Sequence, residues 1–216
     1  MRGTCISASN VIGKKNDSAS TKACQMIAEM VREKHGDQVE TDIIPLINYD
    51  LRSCQMCGEC VGRGHCVYDD GFNEILDRMS QADALFFVVP HYAPIPSKLI
   101  ILFEKMEEII YLHYLNDKSY VFPLRRKPAG VVGHGGMPEQ YVKHYKTALV
   151  DPVASTVRSC GMEVIGVDDE WPTGVAFSIT DLRKPDNAIF PIIEHDWAKV
   201  RQQIEPLVEK VMAKIV

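Results

Sequence analysis

The chain has little that would suit a nucleic-acid or membrane partner. Its 24 Lys and Arg residues are outnumbered by 29 Asp and Glu, for a formal net charge of −5. A nucleic-acid-binding face needs an excess of basic residues, and the short basic run 125–127 is typical of a solvated loop. No apolar run approaches the roughly 18 residues of a membrane helix. We therefore expect neither nucleic-acid nor membrane binding.

A secretory signal pattern, with its charged and apolar segments, is also absent from the first residues. We therefore expect a cytoplasmic location, where thiols stay reduced. The seven cysteines are then not a disulfide set, and their odd number agrees with this. Cys5, Cys24 and Cys160 fall in predicted strands or helices and are expected to pack as small apolar side chains.

Internal repeats and Pro/Gly/Ser-rich linkers are lacking too, so we expect residues 1–216 to form one domain. Short β-type runs alternate with segments of helical periodicity, which is typical of an open parallel α/β sheet with helices on both faces. The predicted strands cover residues 1–9, 38–46, 84–89, 128–133 and 162–167. One predicted helix begins near Ser18 or Ser20. Four further helices are predicted over residues 69–79, 97–114, 138–160 and 197–211. Pro152 and Pro206 should bend or break the last two of these, and residues 168–194 are expected to be an irregular insertion.

A cysteine cluster is the most specific motif of the chain. Cys54, Cys57, Cys60 and Cys66 lie in a Gly-rich loop, residues 50–68, that follows the second predicted strand. Four thiolates so close together can hold one compact iron–sulfur cluster, because each binds a different iron atom. Gly58, Gly62 and Gly64 would let the loop wrap such a site. Zinc, which usually takes two separated cysteine pairs, and thiols without any metal are the alternatives.

Three further loops follow predicted strands, and in such sheets ligands bind at the carboxyl ends of the strands. The first loop is rich in hydroxyls and opens a helix, which is typical of phosphate binding, although both the GxGxxG motif and the Walker lysine motif are absent. The second carries an aromatic residue among prolines, and the third is Gly-rich, so that backbone can approach a flat ring. An ordinary capped helix, a Pro-rich connection and a surface histidine are the respective structural alternatives. The candidate flavin-binding residues are Ser9, Ser18, Ser20, Thr21, Pro90, His91, Tyr92, Ala93, Ser97, Gly133, His134, Gly135 and Gly136.

These motifs together resemble the iron–sulfur flavoproteins, within the NAD(P)H-dependent FMN reductase group of flavodoxin-like proteins. The cysteine spacing is similar to that family's compact motif and precedes an acidic pair, Asp69–Asp70. The segment Val89-Pro90-His91-Tyr92, with Ser97-Lys98-Leu99 after it, is similar to the family's Ser-Pro-Val-Tyr stretch and helix start. The resemblance extends over residues 1–167. The family's first-loop arginine is missing from Ala8-Ser9-Asn10-Val11, so a phosphate would depend on the hydroxyls and on Lys14 or Lys22.

The resemblance implies a flavodoxin-like sheet of order 2-1-3-4-5, FMN, a 4Fe–4S cluster and a homodimer or homotetramer. It also implies a redox enzyme that passes electrons between a two-electron flavin chemistry and a one-electron carrier such as ferredoxin. We expect no side-chain acid or base catalyst; His91, Tyr92 and His134 would tune the flavin or gate access to it. One alternative is an NAD(P)H-dependent FMN or quinone reductase without a cluster. A zinc-stabilised interaction module is a remote one.

Overall fold

A parallel sheet forms the centre of the computed structural model, which describes residues 1–11, 13–14 and 17–216. Its strands are β1 (Arg2–Ser7), β2 (Glu40–Pro45), β3 (Ala84–Pro90), β4 (Pro128–Pro138), β5 (Glu163–Ile165) and β6 (Val175–Ile179). The order β2-β1-β3-β4-β5 and the parallel pairing confirm the predicted flavodoxin-like topology.

Helices cover both faces of this sheet. They are α1 (Ala19–His35), α2 (Asp70–Gln81), α3 (Ser97–Asn116), α4 (Val142–Tyr145), α5 (Asp151–Ser159) and α6 (Trp197–Met212). One buried core joins the sheet to α2, α3 and α5, and a second joins it to α1 and α6. Among the described residues, no helix combines the length and apolarity that crossing a bilayer requires.

Strand β3 shows why the sequence 84–90 is apolar at every position. All of its residues are buried. Leu85, Phe87 and Val89 belong to one core, whereas the alternating Phe86 and Val88 belong to the other. A strand covered on both faces cannot show the polar alternation of a half-exposed strand, so this run correctly predicted a central position.

The segment 168–194, expected to be irregular, contains strands instead. β6 is buried and pairs in parallel with β4 along Val132–Pro138, beyond the part of β4 that pairs with β5. β7 (Asp181–Arg183) and β8 (Ile192–Glu194) then form an antiparallel hairpin. The prediction was wrong because β6 is short and separate from β5. Only the unusual length of β4 gives β6 a neighbour.

The region after β4 also differs from the prediction. Residues 134–136, expected in a loop, extend the strand. The single helix predicted over 138–160 is divided into α4, one π-helical turn at Lys146–Val150, and α5. Pro152 lies at the start of α5, directly after the π-helical turn, so the helix is divided where Pro152 was expected to bend or break it. Pro206, in contrast, lies within a helix that continues past it.

Candidate functional site

A cleft of about 430 Å³ lies at the carboxyl ends of β1, β3 and β4. The start of α1, the loop after β3, the end of β4 and the residues around β8 enclose it. Its lining consists of Ser9, Val11, Lys14, Asp17, Ser18, Ala19, Ser20, Lys22, Pro90, His91, Tyr92, His134, Gly135, Gly136, Ile193, Glu194, His195 and Trp197. The three loops predicted to carry function therefore meet at one site.

Hydroxyl groups order the α1 side of the cleft. The Ser18 side chain caps α1 by accepting a hydrogen bond from the Thr21 backbone N–H at 3.2 Å. The Thr21 hydroxyl lies 2.8 Å from the Ser7 hydroxyl and 3.0 Å from that of Ser18. The Thr21 hydroxyl thus bonds to Ser7 and Ser18 of the protein itself, and it stabilises the loop between β1 and α1. The helix start presents backbone N–H groups and a positive dipole end to the cleft, together with Lys14 and Lys22.

His134 is the most buried ionisable side chain of the cleft. Its ring stacks on Phe177 of β6 at 4.8 Å between centroids and 6° between planes. Its Nε2 lies 2.8 Å from the Ser20 hydroxyl. Burial, with a smaller contribution from His195, lowers its pKa to about 3. His134 is therefore neutral at physiological pH and fixes the end of β4 against the start of α1.

His195 comes from the tail of the chain, outside the predicted site. Its Nδ1 lies 3.1 Å from the Ser178 carbonyl oxygen, and because a carbonyl only accepts, the neutral ring carries its proton on Nδ1. Nε2 of this tautomer is then an acceptor on a residue that lines the cleft, and it has no hydrogen-bond partner among the described residues. Burial first, and then the charges of Lys14 and Lys22, lower the pKa of His195.

The loop after β3 supplies the opposite wall. The His91 backbone N–H donates to the His134 carbonyl at 2.7 Å, so the ends of β3 and β4 are held together. The His91 ring lies 5.6 Å from that of Tyr145. Burial, and then His144, lower the pKa of His91. Tyr92 is 37% exposed and leaves an aromatic face available to a planar ligand.

Close backbone approach at Gly135 has a packing reason. A Cβ atom there would lie 2.6 Å from the Tyr145 hydroxyl oxygen, and that hydroxyl accepts a hydrogen bond from the Met137 N–H at 2.8 Å. The neighbouring Gly136 has much more room, since a Cβ atom there would lie 3.9 Å from Ile193. The contact with Tyr145 therefore leaves no room for a side chain at residue 135, and glycine is required there.

The predicted flavin residues divide between this lining and its support. Ser9, Ser18, Ser20, Pro90, His91, Tyr92, His134, Gly135 and Gly136 line the cleft, while Thr21, Ala93, Ser97 and Gly133 do not. The Ser97 hydroxyl accepts from the Asn10 side chain at 3.3 Å, and a Cβ at Gly133 would lie 2.8 Å from Val150. Ile193, Glu194, His195 and Trp197 were missed because no local motif marks residues that the fold brings back from the tail.

A second cavity is lined by all four clustered cysteines. Cys54, Cys57, Cys60 and Cys66 share it with residues of the same loop and of α3. Burial raises the pKa of the Cys60 thiol, and the charges of the other three cysteines raise it further. All four cysteines of the predicted site thus lie around one cavity. Cys5, Cys24 and Cys160 are buried elsewhere, as expected of apolar packing.

The cysteine loop is tied to α2 and α3 by specific hydrogen bonds. The Cys54 N–H donates to Glu104 at 3.1 Å, and the Gly62 N–H donates to His113 Nε2 at 3.2 Å. The Asn73 side chain accepts from the Cys66 N–H and donates to its carbonyl, at 2.8 and 2.7 Å. A loop without regular secondary structure is thereby held in one position.

A buried ion pair adjoins this loop. Lys105 Nζ lies 3.2 Å from Cys66 Sγ and 3.5 Å from Asp69 Oδ2. The Lys105 and Asp69 side chains are only 4% and 1% exposed. Asp69 also accepts from the Arg52 N–H and caps α2 through the Phe72 N–H, both at 2.9 Å. A cation is therefore fixed beside the sulfur of Cys66.

Four thiols around one cavity are a donor set of the kind that holds an iron–sulfur cluster. Among the residues that the structure describes, no three His, Cys, Asp or Glu side chains converge closely enough to hold one metal ion. A cubane does not need such convergence, since each thiolate takes its own iron. The cavity among these thiols measures about 30 Å³. Gly58 and Gly62 both have a φ of +76°, a backbone conformation that glycine adopts without strain.

The fold and cleft are those of a flavin-dependent oxidoreductase, and sequence comparison gives the family. Residues 4–162 match the model of the NADPH-dependent FMN reductase family. The chain belongs to this family, and membership supports FMN as the cofactor.

Curated relatives with sequence similarity to this chain are iron–sulfur flavoproteins. An iron–sulfur flavoprotein of Methanosarcina thermophila is 31% identical over 98 residues, which cover 45% of this chain and 47% of the relative. One of Methanocaldococcus jannaschii is 25% identical over 51% of this chain and 53% of its own. The matches thus span about half the length of these relatives. They agree with the resemblance to iron–sulfur flavoproteins.

Solved structures agree in fold at low identity. RosB, with a bound 8-demethyl-8-formylriboflavin-5′-phosphate intermediate, superposes with a TM-score of 0.60 at 15% identity, over 98% of this chain and 76% of RosB. An FMN-dependent NADH-azoreductase of Bacillus anthracis, in complex with FMN, gives 0.56 at 15% identity over 100% and 99%.

Proposed function

We propose that the protein binds FMN in the cleft and a 4Fe–4S cluster in the cysteine cavity, and passes electrons between them. Its physiological role would be to connect a two-electron donor or acceptor such as NAD(P)H with a one-electron carrier such as ferredoxin. The observation that carries this proposal is that all four clustered cysteines line one cavity in a chain of the NADPH-dependent FMN reductase family, whose cleft at the carboxyl ends of β1, β3 and β4 is the site that we propose for FMN.

The residues divide into two separate roles in this proposal. The start of α1, with Lys14 and Lys22, would bind the anionic phosphate, while His91, Tyr92 and the Gly135–Gly136 backbone would contact the flavin ring. When bound, FMN supplies transfer of one or two electrons, and the cluster supplies transfer of one. The chain itself binds, orients and excludes water. Neutral His134 offers hydrogen bonds without adding a charge near the flavin.

The test is anaerobic purification followed by a visible spectrum and by flavin, iron and zinc analysis. FMN with about four irons per chain, and an absorbance shoulder bleached by dithionite, supports the proposal. A Cys60→Ser variant should lose iron and keep FMN, because Cys60 does not line the flavin cleft. Cys24→Ser is the matched control, since this buried cysteine lies in α1 away from the cluster, and it should keep both.

The second candidate is an NAD(P)H-dependent FMN or quinone reductase without a cluster. Its support is the match to the NADPH-dependent FMN reductase family, together with the exposure of Cys57. FMN without iron, reproduced after an attempt to reconstitute the cluster, would select this function. Bound zinc in a colourless protein that takes up no FMN would instead select the interaction module.

We also propose a homo-oligomer in which the β7–β8 hairpin forms part of the interface. Ile189 and Phe190 at its tip are 84% and 80% exposed, and Ile192 is 45% exposed. The same hairpin supplies Ile193 and Glu194 to the cleft, so a partner seated there would lie beside the flavin. Light scattering should show a dimer or tetramer for the native chain and its dissociation in Phe190→Ser. A monomeric native chain would refute this assembly.

A further inference from the structure

We infer that Lys105 is a positioning residue that stabilises the reduced form of the iron–sulfur centre through its contact with Cys66. The inference rests on the proposed cluster. It concerns a residue of α3 that lies far from the cysteines in sequence, and neither the cysteine spacing nor the flavin-binding loops point to it.

The first support is the burial and position of the ammonium group. Lys105 is 4% exposed, and its Nζ also lies over the Phe72 ring at 5.5 Å from the centroid. Lysine is almost never so buried unless its charge is compensated. The surrounding protein therefore holds this cation in one place, and Cys66 Sγ is within hydrogen-bond distance at 3.2 Å.

The second support comes from the other partner of the ammonium group. Asp69 is the farther one, at 3.5 Å, and its two carboxylate oxygens already accept from Arg52 and Phe72 N–H groups. Asp69 thus has a structural reason of its own to be buried. Among the hydrogen bonds of the described residues, Lys105 Nζ donates none to a backbone carbonyl. Its N–H groups are directed to the Asp69 carboxylate and to the Cys66 sulfur.

The third support is the sign of the remaining charges. Acidic Glu108 lines the same cavity, and Glu104 accepts from the Cys54 N–H. Arg52 lines it as well, but as an exposed side chain whose charge is screened by solvent. A cluster gains negative charge on reduction, and hydrogen bonds and nearby charges at its sulfurs set its potential. The buried Lys105 is the cation placed to favour that reduced, more negative form.

The experiment measures the midpoint potential by redox titration followed by electron paramagnetic resonance. Lys105→Met keeps the side-chain volume and removes the charge, so the reduction equilibrium should fall at least ~tenfold, or about 59 mV for one electron. Asp69→Asn removes the neutralising carboxylate and should shift the potential in the opposite direction. Lys105→Arg keeps the charge and should restore most of the native value.

The control is Lys127→Met, which changes a partly buried lysine that precedes β4 and donates to the Ala82 carbonyl away from the cysteine loop. Its potential should match the native protein, and FMN content should be unchanged in every variant. A purely structural role for Lys105 would give instability with an unchanged potential, and equal potentials in native protein and Lys105→Met would overturn the inference. If Lys105→Met retains no iron, the sign of the shift in Asp69→Asn decides: a rise supports the inference, and no rise overturns it.

The same measurements distinguish this inference from the function on which it rests. A native protein that takes up no iron after reconstitution refutes the proposed cluster, and the role of Lys105 fails with it. A native protein with four irons and a potential that does not respond to Lys105 leaves the cluster in place and refutes only the inference.

Discussion

The buried imidazole of His134 should make the protein markedly less stable in mild acid. Its pKa is about 3 in the folded chain, compared with about 6.5 when unfolded. Between these values the unfolded state binds a proton that the folded state does not. The destabilisation is therefore absent well above pH 6.5, begins as the pH falls through 6.5, and grows until about pH 3.

The magnitude follows from the size of this window. Each pH unit inside it costs 1.36 kcal/mol of unfolding free energy, so a fall from pH 7.5 to pH 5.0 costs about 2 kcal/mol through this residue alone. The low pKa of His195, another result of burial, acts in the same direction. The comparison with a variant is therefore what isolates His134.

The assay is urea unfolding of the flavin-free protein, since bound FMN would add its own stabilisation. His134→Gln should be less stable overall, because it loses the stack on Phe177, but it should lose about 2 kcal/mol less than the native chain between pH 7.5 and 5.0. His65→Gln is a comparison of opposite sign. Asp77 raises the pKa of exposed His65, so the stabilisation that this histidine contributes is present in acid and is lost as the pH rises. Equal pH dependence in native protein and His134→Gln would refute the argument.

The remaining predictions concern packing. Gly135→Ala should lower the free energy of unfolding in urea by about 1–3 kcal/mol, because the new methyl group would meet Tyr145 at 2.6 Å. Gly136→Ala, whose methyl group would lie 3.9 Å from its nearest neighbour, should lower it much less. Similar losses in the two variants would contradict the packing argument. Phe177→Ala should cost about 3–5 kcal/mol because its ring is fully buried. Phe190→Ser, 80% exposed, should change the stability of the isolated chain by less than about 0.5 kcal/mol, and a large loss would show that its side chain packs within the protomer.

Tertiary contacts decided which of the candidate flavin residues face the cleft. Ser20 and Thr21 are adjacent hydroxyls at the start of α1, yet only Ser20 lines the cleft, where it meets His134. The helical turn directs Thr21 to Ser7 instead. Chemical type cannot separate two such neighbours; the direction of each side chain on the first turn does.

The sequence alone predicted five of the strands and the two groups of candidate site residues. A short run that is apolar at every position is typical of a strand covered on both faces, so β3 could be predicted from local pattern, whereas the strand order came from the family resemblance. The cysteine spacing likewise predicted one shared site, because few residues separate the four thiols, and all four line one cavity. These are properties of short stretches of chain, which a sequence shows directly.

Only the tertiary structure decided what surrounds those sites. Lys105 reaches Cys66 across 39 residues of sequence, and Phe177 stacks on His134 because β4 is long enough to pair with β6. A lysine on an apolar helix and a short strand in an apparently irregular tail have no local signature of these roles. Their roles follow from burial and from neighbours distant in sequence, and such contacts exist only once the chain has folded.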